Sequence, residues 1–119
     1  MFEKNMRIAY LCDFYIDLLD PHSQGILKAY YEDDLSLAEI ALDEGISRQG
    51  IRHIIKKCEE LILFYEEKLG LAKKHELLEN TADTLAEIKA TLLSSSIDEK
   101  EELSKKLESA IGTILSKGV

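Results

Sequence analysis

Residues 36–56, SLAEIALDEGISRQGIRHIIK, predict two short helices joined by a tight turn. Ser36 followed three positions later by Glu39 is the pattern of a capping box, in which each side chain bonds the other residue's backbone amide. Gly45 can adopt the left-handed conformation that ends a helix sharply, and Ser47 can cap the helix that follows. The stretch therefore predicts a helix-turn-helix, the motif whose second helix enters the major groove of DNA.

The second of these helices has the charge pattern of a helix that reads DNA. From residue 47 to residue 57 there are four basic residues and no acidic residue, although the chain carries a net charge of −8. Arg48, Arg52 and Lys56 recur every fourth residue and so lie along one side of a helix. Arg and Gln side chains near a helix start match the edges of guanine and adenine. The alternative is an ordinary helical hairpin with a solvated polar face.

Seven residues are the candidate nucleic-acid contacts: Ser47, Arg48, Gln49, Arg52, His53, Lys56 and Lys57. We expect Arg48, Gln49 and Arg52 to reach base edges, and the three later residues to lie nearer phosphates. The Ser47 hydroxyl and the free backbone amides beside it offer a further phosphate contact.

The opposite side of the same helix is apolar at spacings of four, three and four residues, which predicts that it faces the core: Ile51, Ile55, Cys58 and Ile62. The apolar pattern continues to Gly70, so the helix is expected to be long. Residues 59–67 add four glutamates to its later part. Because carboxylates repel phosphates, we expect DNA contacts only in its first three turns.

The composition indicates an all-α protein that is not an enzyme. The chain has 119 residues, is 45% hydrophobic and 32% charged, and contains one Pro. It has neither a long apolar run nor a signal peptide, and Cys12 and Cys58 are isolated, which is typical of buried thiols in a cytoplasmic protein. The three histidines lie far apart in sequence, so we expect no catalytic group, metal site or cofactor.

Two domains are predicted. Residues 1–70 would form a helix-turn-helix domain, either winged-helix-like or like region four of bacterial sigma factors, with two further helices over about residues 4–19 and 21–32. Residues 71–119 would form a helical hairpin. Its predicted seams are built on Leu78, Leu85 and Leu92 in one helix and on residues from Leu103 to Leu115 in the other, with a break at Ser94–Ser96 and a second capping box between Ser96 and Glu99. Packing on a second copy, which would make a homodimer, is the favoured role of these helices.

The first seventy residues resemble the YlxM family of small bacterial helix-turn-helix proteins. The segments that carry the resemblance are the Tyr10–Tyr15 stretch, Tyr30-Tyr31, Asp34-Leu35-Ser36-Leu37, Glu39-Ile40-Ala41, Ser47-Arg48-Gln49 and the tail from Glu60 to Leu69. The acidic loop followed by a serine-capped helix pair is also similar to sigma factor region four, which contacts promoter DNA. Relatives more often have Ala where this chain has Gly50, and Tyr and Asp where it has Arg52 and His53. The second helix of the motif is therefore expected to be more basic than in relatives and less rigid at Gly50.

The resemblance implies a DNA-binding, regulatory protein of the bacterial cytoplasm. Genes of this family lie beside those of the signal recognition particle GTPases, which implies components of that particle as further partners. The alternative function is a non-catalytic adaptor of the signal recognition particle pathway that binds protein or RNA.

Overall fold

The computed structural model describes residues 4–93 and 99–117, and the chain is helical there apart from short connections. The helices are α1 (Met6–Tyr15), α2 (Pro21–Tyr31), α3 (Leu37–Glu44), α4 (Arg48–Leu69), α5 (Leu71–Leu93) and α6 (Lys100–Lys117), with a 3₁₀ turn at Ile16–Leu18. The all-α prediction is confirmed. Residues 4–70 contain no β-strand that could form a wing, so the winged-helix version of the prediction is wrong. The helices fall into two compact units, Met1–Gly70 and Leu71–Val119.

The helices of the first unit begin and end where local side-chain chemistry favours a boundary. The Asn5 side chain accepts hydrogen bonds from two amides at the start of α1, and Asp20 caps α2 with Pro21 at the first helical position. The capping box of α3 is formed, and Gly45 ends that helix with a φ of 69°. Gly70 ends α4 in the same way, with a φ of 61°. Each boundary is a short-range interaction, which is why the sequence alone predicts it.

Helix α4 is the central element of the first unit, because α1, α2 and α3 all pack against it. Its four predicted core residues are all buried, and this prediction is confirmed for Ile51, Ile55, Cys58 and Ile62. The other helices meet them with fully buried side chains such as Ile8, Leu11, Ile26 and Leu27. Burying a large aliphatic side chain stabilises a fold by about 1.5–3 kcal/mol. This core fixes which side of α4 faces outward.

Two tyrosines attach the later half of α4 to the helices around it. The Tyr31 hydroxyl donates a hydrogen bond to Glu59, and the Tyr15 hydroxyl donates one to Glu66. Burial and the neighbouring carboxylate raise the pKa of Tyr31 far above its ordinary value, so the phenol stays protonated and remains a donor. Two of the four glutamates in this half therefore stabilise the fold.

In the second unit, α5 and α6 pack on each other through a seam that combines large aliphatic and small side chains. Buried residues of this unit include Thr81, Ile88, Leu103 and Ala110. The Thr81 hydroxyl donates to the backbone carbonyl of Leu77, four residues earlier, at 2.8 Å. A threonine bonded in this way presents its methyl group to the neighbouring helix while its hydroxyl is satisfied within its own helix.

The leucines with seven-residue spacing lie outside the seam between α5 and α6, so their favoured role, packing on a second copy, stays a prediction. Leu78 is 55% exposed and Leu92 is 59% exposed, and Leu85 is exposed as well. Two buried positions of α5, Thr81 and Ile88, also lie seven residues apart. Leu85 and Leu92 follow four residues after these positions, and so the leucine row lies to one side of the seam. A repeat of seven fixes the period of a helix face, but it does not tell which of two adjacent faces is covered.

On α6, Leu103 and Ala110 are buried, whereas Leu107, Ile111, Ile114 and Leu115 are exposed. The predicted seam of this helix is therefore confirmed only at those two buried positions. The predicted serine break and the Ser96 part of the second capping box fall on residues 94–98, outside the described residues.

Candidate nucleic-acid interface

The turn between α3 and α4 is built by backbone hydrogen bonds that only a left-handed residue allows. The amides of both Gly45 and Ile46 donate to the carbonyl of Ala41, the latter at 3.2 Å. Ser47 then opens α4, and its Oγ accepts from the amide of Gly50 at 3.0 Å. The predicted helix-turn-helix is thus present, with both caps formed.

Two residues of this turn differ from expectation. An apolar residue directly after a capping glycine commonly packs on the helix it follows, but Ile46 is 42% exposed and covers the turn only in part. Gly50 was expected to loosen α4. A Cβ at position 50 would lie 3.3 Å from Ser47 Oγ and 3.4 Å from Ile46 Cδ1, so glycine lets the cap and the turn approach closely. The helix is continuous through Gly50.

The start of α3 and the start of α4 line one open cleft of about 650 Å³. Its lining residues are Ser36, Leu37, Ala38, Ser47, Arg48, Gln49 and Arg52. The starts of both helices border this cleft, and helix starts favour negative charge. Sequence reasoning missed the contribution of α3. The capping box at Ser36 marks a helix start, but only the tertiary fold brings that start beside Arg48.

A second depression continues the cleft along α4. It is lined by Gln49, Arg52, His53 and Lys56, and it shares Gln49 and Arg52 with the cleft. Six of the seven predicted site residues are therefore brought together on one continuous surface. Lys57 is exposed but lines neither depression, because it lies further round the helix.

This surface is positively charged in a strongly acidic chain. The sequence has 23 acidic and 15 basic residues, yet no carboxylate lines the cleft or the depression beside it among the described residues. All seven predicted site residues are exposed, whereas Ile51 and Ile55 on the opposite side are fully buried. Within residues 4–93 and 99–117, no ion pair holds Arg48 or Lys56. These cations are available to a ligand.

The remaining titratable groups do not form a second site. Burial raises the pKa of the Cys12 thiol to about 12 and also raises that of Cys58, so both stay protonated and unreactive. His22 contacts Glu44 at 2.8 Å and His75 contacts Glu79 at 2.7 Å, each on the surface. No cluster of side chains suited to a metal ion occurs in the described ranges. No helix in those ranges is long and apolar enough to cross a membrane.

A family model described as helix-turn-helix, YlxM / p13 like (UPF0122) matches residues 2–110 of the chain. The chain belongs to this family. A UPF0122 protein of Geobacillus kaustophilus is 47% identical over 76 residues, which cover 64% of this chain and 69% of the relative. One from Listeria innocua is 45% identical over 85 residues, covering 71% and 77% of the two chains. One from Exiguobacterium sibiricum is 41% identical over 86 residues, covering 72% and 81%.

These comparisons confirm the family resemblance drawn from the Tyr30-Tyr31, Glu39-Ile40-Ala41 and Ser47-Arg48-Gln49 segments. They place the chain in a bacterial helix-turn-helix family, in agreement with the all-helical fold and the formed turn.

Proposed function

We propose that this protein binds double-stranded DNA through the first three turns of α4 and acts as a regulatory protein of the bacterial cytoplasm. The observation that carries the proposal is the continuous surface at the start of α4. It is exposed, carries Arg48, Arg52 and Lys56 and is lined without a carboxylate, in a chain with a net charge of −8. Membership of a helix-turn-helix family supports the same function.

The positions of the side chains along α4 suggest separate roles. Arg48, Gln49 and Arg52 lie in the first turn and a half, which is the part of a recognition helix that meets base edges. His53 and Lys56 lie about one and a half and about two turns after Arg48. They would contact the phosphates that border the groove. Lys57 is the least favourably placed of the predicted contacts. In this arrangement the starts of α3 and α4, at Ser36 and Ser47, would hold backbone phosphates.

The shape of the site favours an extended polymer over a small molecule. The cleft is open, and the depression beside it continues the same surface along the helix. Few cations are present, and binding strength follows the number of phosphates neutralised, so one copy would bind weakly and with strong dependence on salt. Two recognition helices in one assembly would bind considerably better.

We therefore include a homodimer, formed through α5 and α6, in the proposal. A groove of about 280 Å³ on this hairpin is lined mainly by apolar side chains, among them Ile88, Leu92, Leu103 and Leu107. The hairpin's own seam leaves Leu92 59% exposed and Leu107 39% exposed. A second hairpin presenting the same face would cover both grooves at once, as a two-fold interface does. Two α4 helices about one DNA turn apart would then bind a palindromic site.

The test is DNA binding by the full chain compared with the double variant Arg48→Ala/Arg52→Ala. Fragments of bacterial genomic DNA would be selected at near-physiological salt, and affinities for the enriched duplex would then be measured by fluorescence anisotropy. We expect at least a tenfold loss of affinity, because each bidentate arginine–base contact contributes about 1–3 kcal/mol.

The matched control is Lys89→Ala/Lys105→Ala, which removes the same charge from exposed positions of the hairpin. It should bind nearly as tightly as the unchanged protein. Equal binding by the arginine variant and the unchanged protein, with both folded by circular dichroism, would contradict the assignment of the site.

The second candidate function is a non-catalytic adaptor in the signal recognition particle pathway that binds protein or RNA. The observation in its favour is the excess of acidic residues, 23 against 15 basic ones, which suits a basic partner. Capture from a bacterial lysate, with and without nuclease, separates the two functions. Nuclease-resistant recovery of the particle's components supports the adaptor, and recovery of DNA alone supports the regulator.

A further inference from the structure

The outward face of α4 reverses its charge partway along. One exposed stripe, with spacings of four, three, four, three and four residues, runs the length of the helix: Gln49, His53, Lys56, Glu60, Leu63 and Glu67. The first half of this stripe belongs to the proposed DNA surface. The second half carries two carboxylates on the same side of the helix.

The four glutamates in this half of α4 are not equivalent. Glu59 and Glu66 are half-buried and accept hydrogen bonds from Tyr31 and Tyr15, so their place in the sequence is explained by the fold. Glu60 and Glu67 are exposed, and neither forms an ion pair or side-chain hydrogen bond with any described residue. Packing therefore gives no reason for a carboxylate at position 60.

We propose that Glu60 is a specificity-determining residue, which repels DNA phosphates at the end of the binding surface and so weakens non-specific binding. This inference rests on the proposed DNA-binding function. Repulsive groups of this kind increase selectivity by disfavouring the wrong complexes more than the right one.

Distance along the helix singles out Glu60 over Glu67. At about 1.5 Å per residue, Glu60 lies about 6 Å from Lys56 along the helix axis, whereas Glu67 lies about 16 Å from it. The screening length at physiological ionic strength is about 8 Å. A phosphate bound at Lys56 is therefore within reach of the Glu60 charge and beyond that of Glu67.

The repulsion acts on the phosphate at Lys56 in every complex, and it is larger in non-specific complexes that bring further phosphates beside Glu60. Arg48, at the start of the base-reading turn, lies about 18 Å from Glu60 along the axis, so base contacts are almost unaffected. Non-specific binding depends on phosphate contacts alone. It includes poses in which α4 lies along the groove and brings its second half near the backbone. Repulsion by Glu60 raises the free energy of such complexes. It therefore favours entry of α4 into the groove by its N-terminal end.

The experiment measures binding of the full-length protein to a random-sequence 24-base-pair duplex between 50 and 200 mM salt. Glu60→Gln should bind about one and a half to two times more tightly per recognition helix at 50 mM salt, as expected for removing one charge from a phosphate about 8 Å away in water that is partly screened by salt. Its affinity should also depend more steeply on salt. At 200 mM salt, the change in affinity caused by Glu67→Gln should be less than half of the change caused by Glu60→Gln.

Glu87→Gln makes the same change in net charge on α5 and is the control for global charge. Equal affinities for Glu60→Gln and Glu87→Gln, with clear binding by the unchanged protein, would overturn this inference and leave the proposed function standing. Absence of any binding by the unchanged protein at 50 mM salt would overturn both. A gain for Glu60→Gln that is larger on the random duplex than on the selected duplex supports the proposal.

Discussion

The two units of this protein differ in how fully they bury their large apolar side chains. In the first unit, isoleucines of α4 such as Ile55 are fully buried among residues of three other helices. The hairpin buries Ile88 and Leu103 in its seam but leaves Leu85 and Leu92 exposed. The first unit therefore has an extensive core of its own. The hairpin has its best apolar surface still available, which is typical of an element that is covered on association.

The largest effect is expected from removing a core side chain of the first unit. Ile55→Ala should lower the free energy of unfolding by about 2–5 kcal/mol, because it leaves a cavity beside a fully buried position. Urea denaturation followed by circular dichroism measures the loss, which should not depend on protein concentration.

Leu85→Ala removes the same number of carbon atoms from the hairpin and is the matched comparison. At low protein concentration Leu85→Ala should lower the free energy of unfolding by less than about 1 kcal/mol, since the side chain is 44% exposed. At high concentration this loss should be larger if the exposed leucines of α5 lie in a dimer interface. Equal losses for the two variants at every concentration would remove the distinction between the units.

Two adjacent leucines of α5 sharpen the comparison further. Leu92 lines the apolar groove, whereas Leu93 does not and is 83% exposed. Leu92→Asp should raise the dimer dissociation constant at least tenfold, because a carboxylate would be buried without a partner. Leu93→Asp should leave the constant nearly unchanged. Analytical ultracentrifugation measures both, and an equal response of the two variants would contradict a dimer built on this groove.

A smaller effect is expected in the turn of the first unit. Gly45 has a φ of 69°, so Gly45→Ala should destabilise the fold by about 1–2 kcal/mol. Gly50 is helical, and Ala would there gain helix propensity of up to about 1 kcal/mol. The crowding of the new Cβ against Ser47 Oγ at 3.3 Å opposes that gain. Thermal unfolding of both variants should show a clear loss at position 45 and little change at position 50. A larger loss at position 50 would contradict this account of the turn.

The difference between the first unit and the hairpin also explains how far the sequence could predict the structure. Caps and turns depend on residues three to five positions apart, so the limits set by Ser36, Gly45, Ser47 and Gly70 were all readable. The buried face of the first half of α4 was readable too, because polar and apolar residues separate cleanly there. In the later half Leu61, Leu63 and Phe64 are apolar and yet exposed.

Two features depended on tertiary packing and could not be read in this way. The heptad leucines of α5 are equally consistent with an inner and an outer face, and only the packing of α6 shows that Thr81 and Ile88 are inside. The start of α3 joins the candidate site through the fold of the turn, since Ser36 lies eleven residues before Ser47 in sequence. The grouping of six of the seven predicted site residues followed from helical spacing alone, and their contact with DNA stays a prediction.

The smallest effect concerns acid and the start of α2. Asp20 accepts hydrogen bonds from the Ser23 hydroxyl at 2.7 Å and the Ser23 amide at 3.1 Å, and these bonds lower the pKa of its carboxyl below the ordinary 3.8. A carboxyl whose pKa is lower in the folded state stabilises the fold above its unfolded pKa, and this stabilisation is lost as the pH falls through the folded value.

Asp20→Asn keeps a capping side chain but removes this titration. The melting temperature of the unchanged protein should therefore fall slightly more than that of the variant between pH 6 and pH 2. All five tyrosines lie between residues 10 and 65 and the chain has no Trp, so near-ultraviolet circular dichroism during the same titration reports the unfolding of the first unit separately from the hairpin. If the acid effect on this signal were the same in the variant, the cap at Asp20 would not be its source. The distinction between a self-contained first unit and an association-dependent hairpin would then rest on the core and groove variants alone.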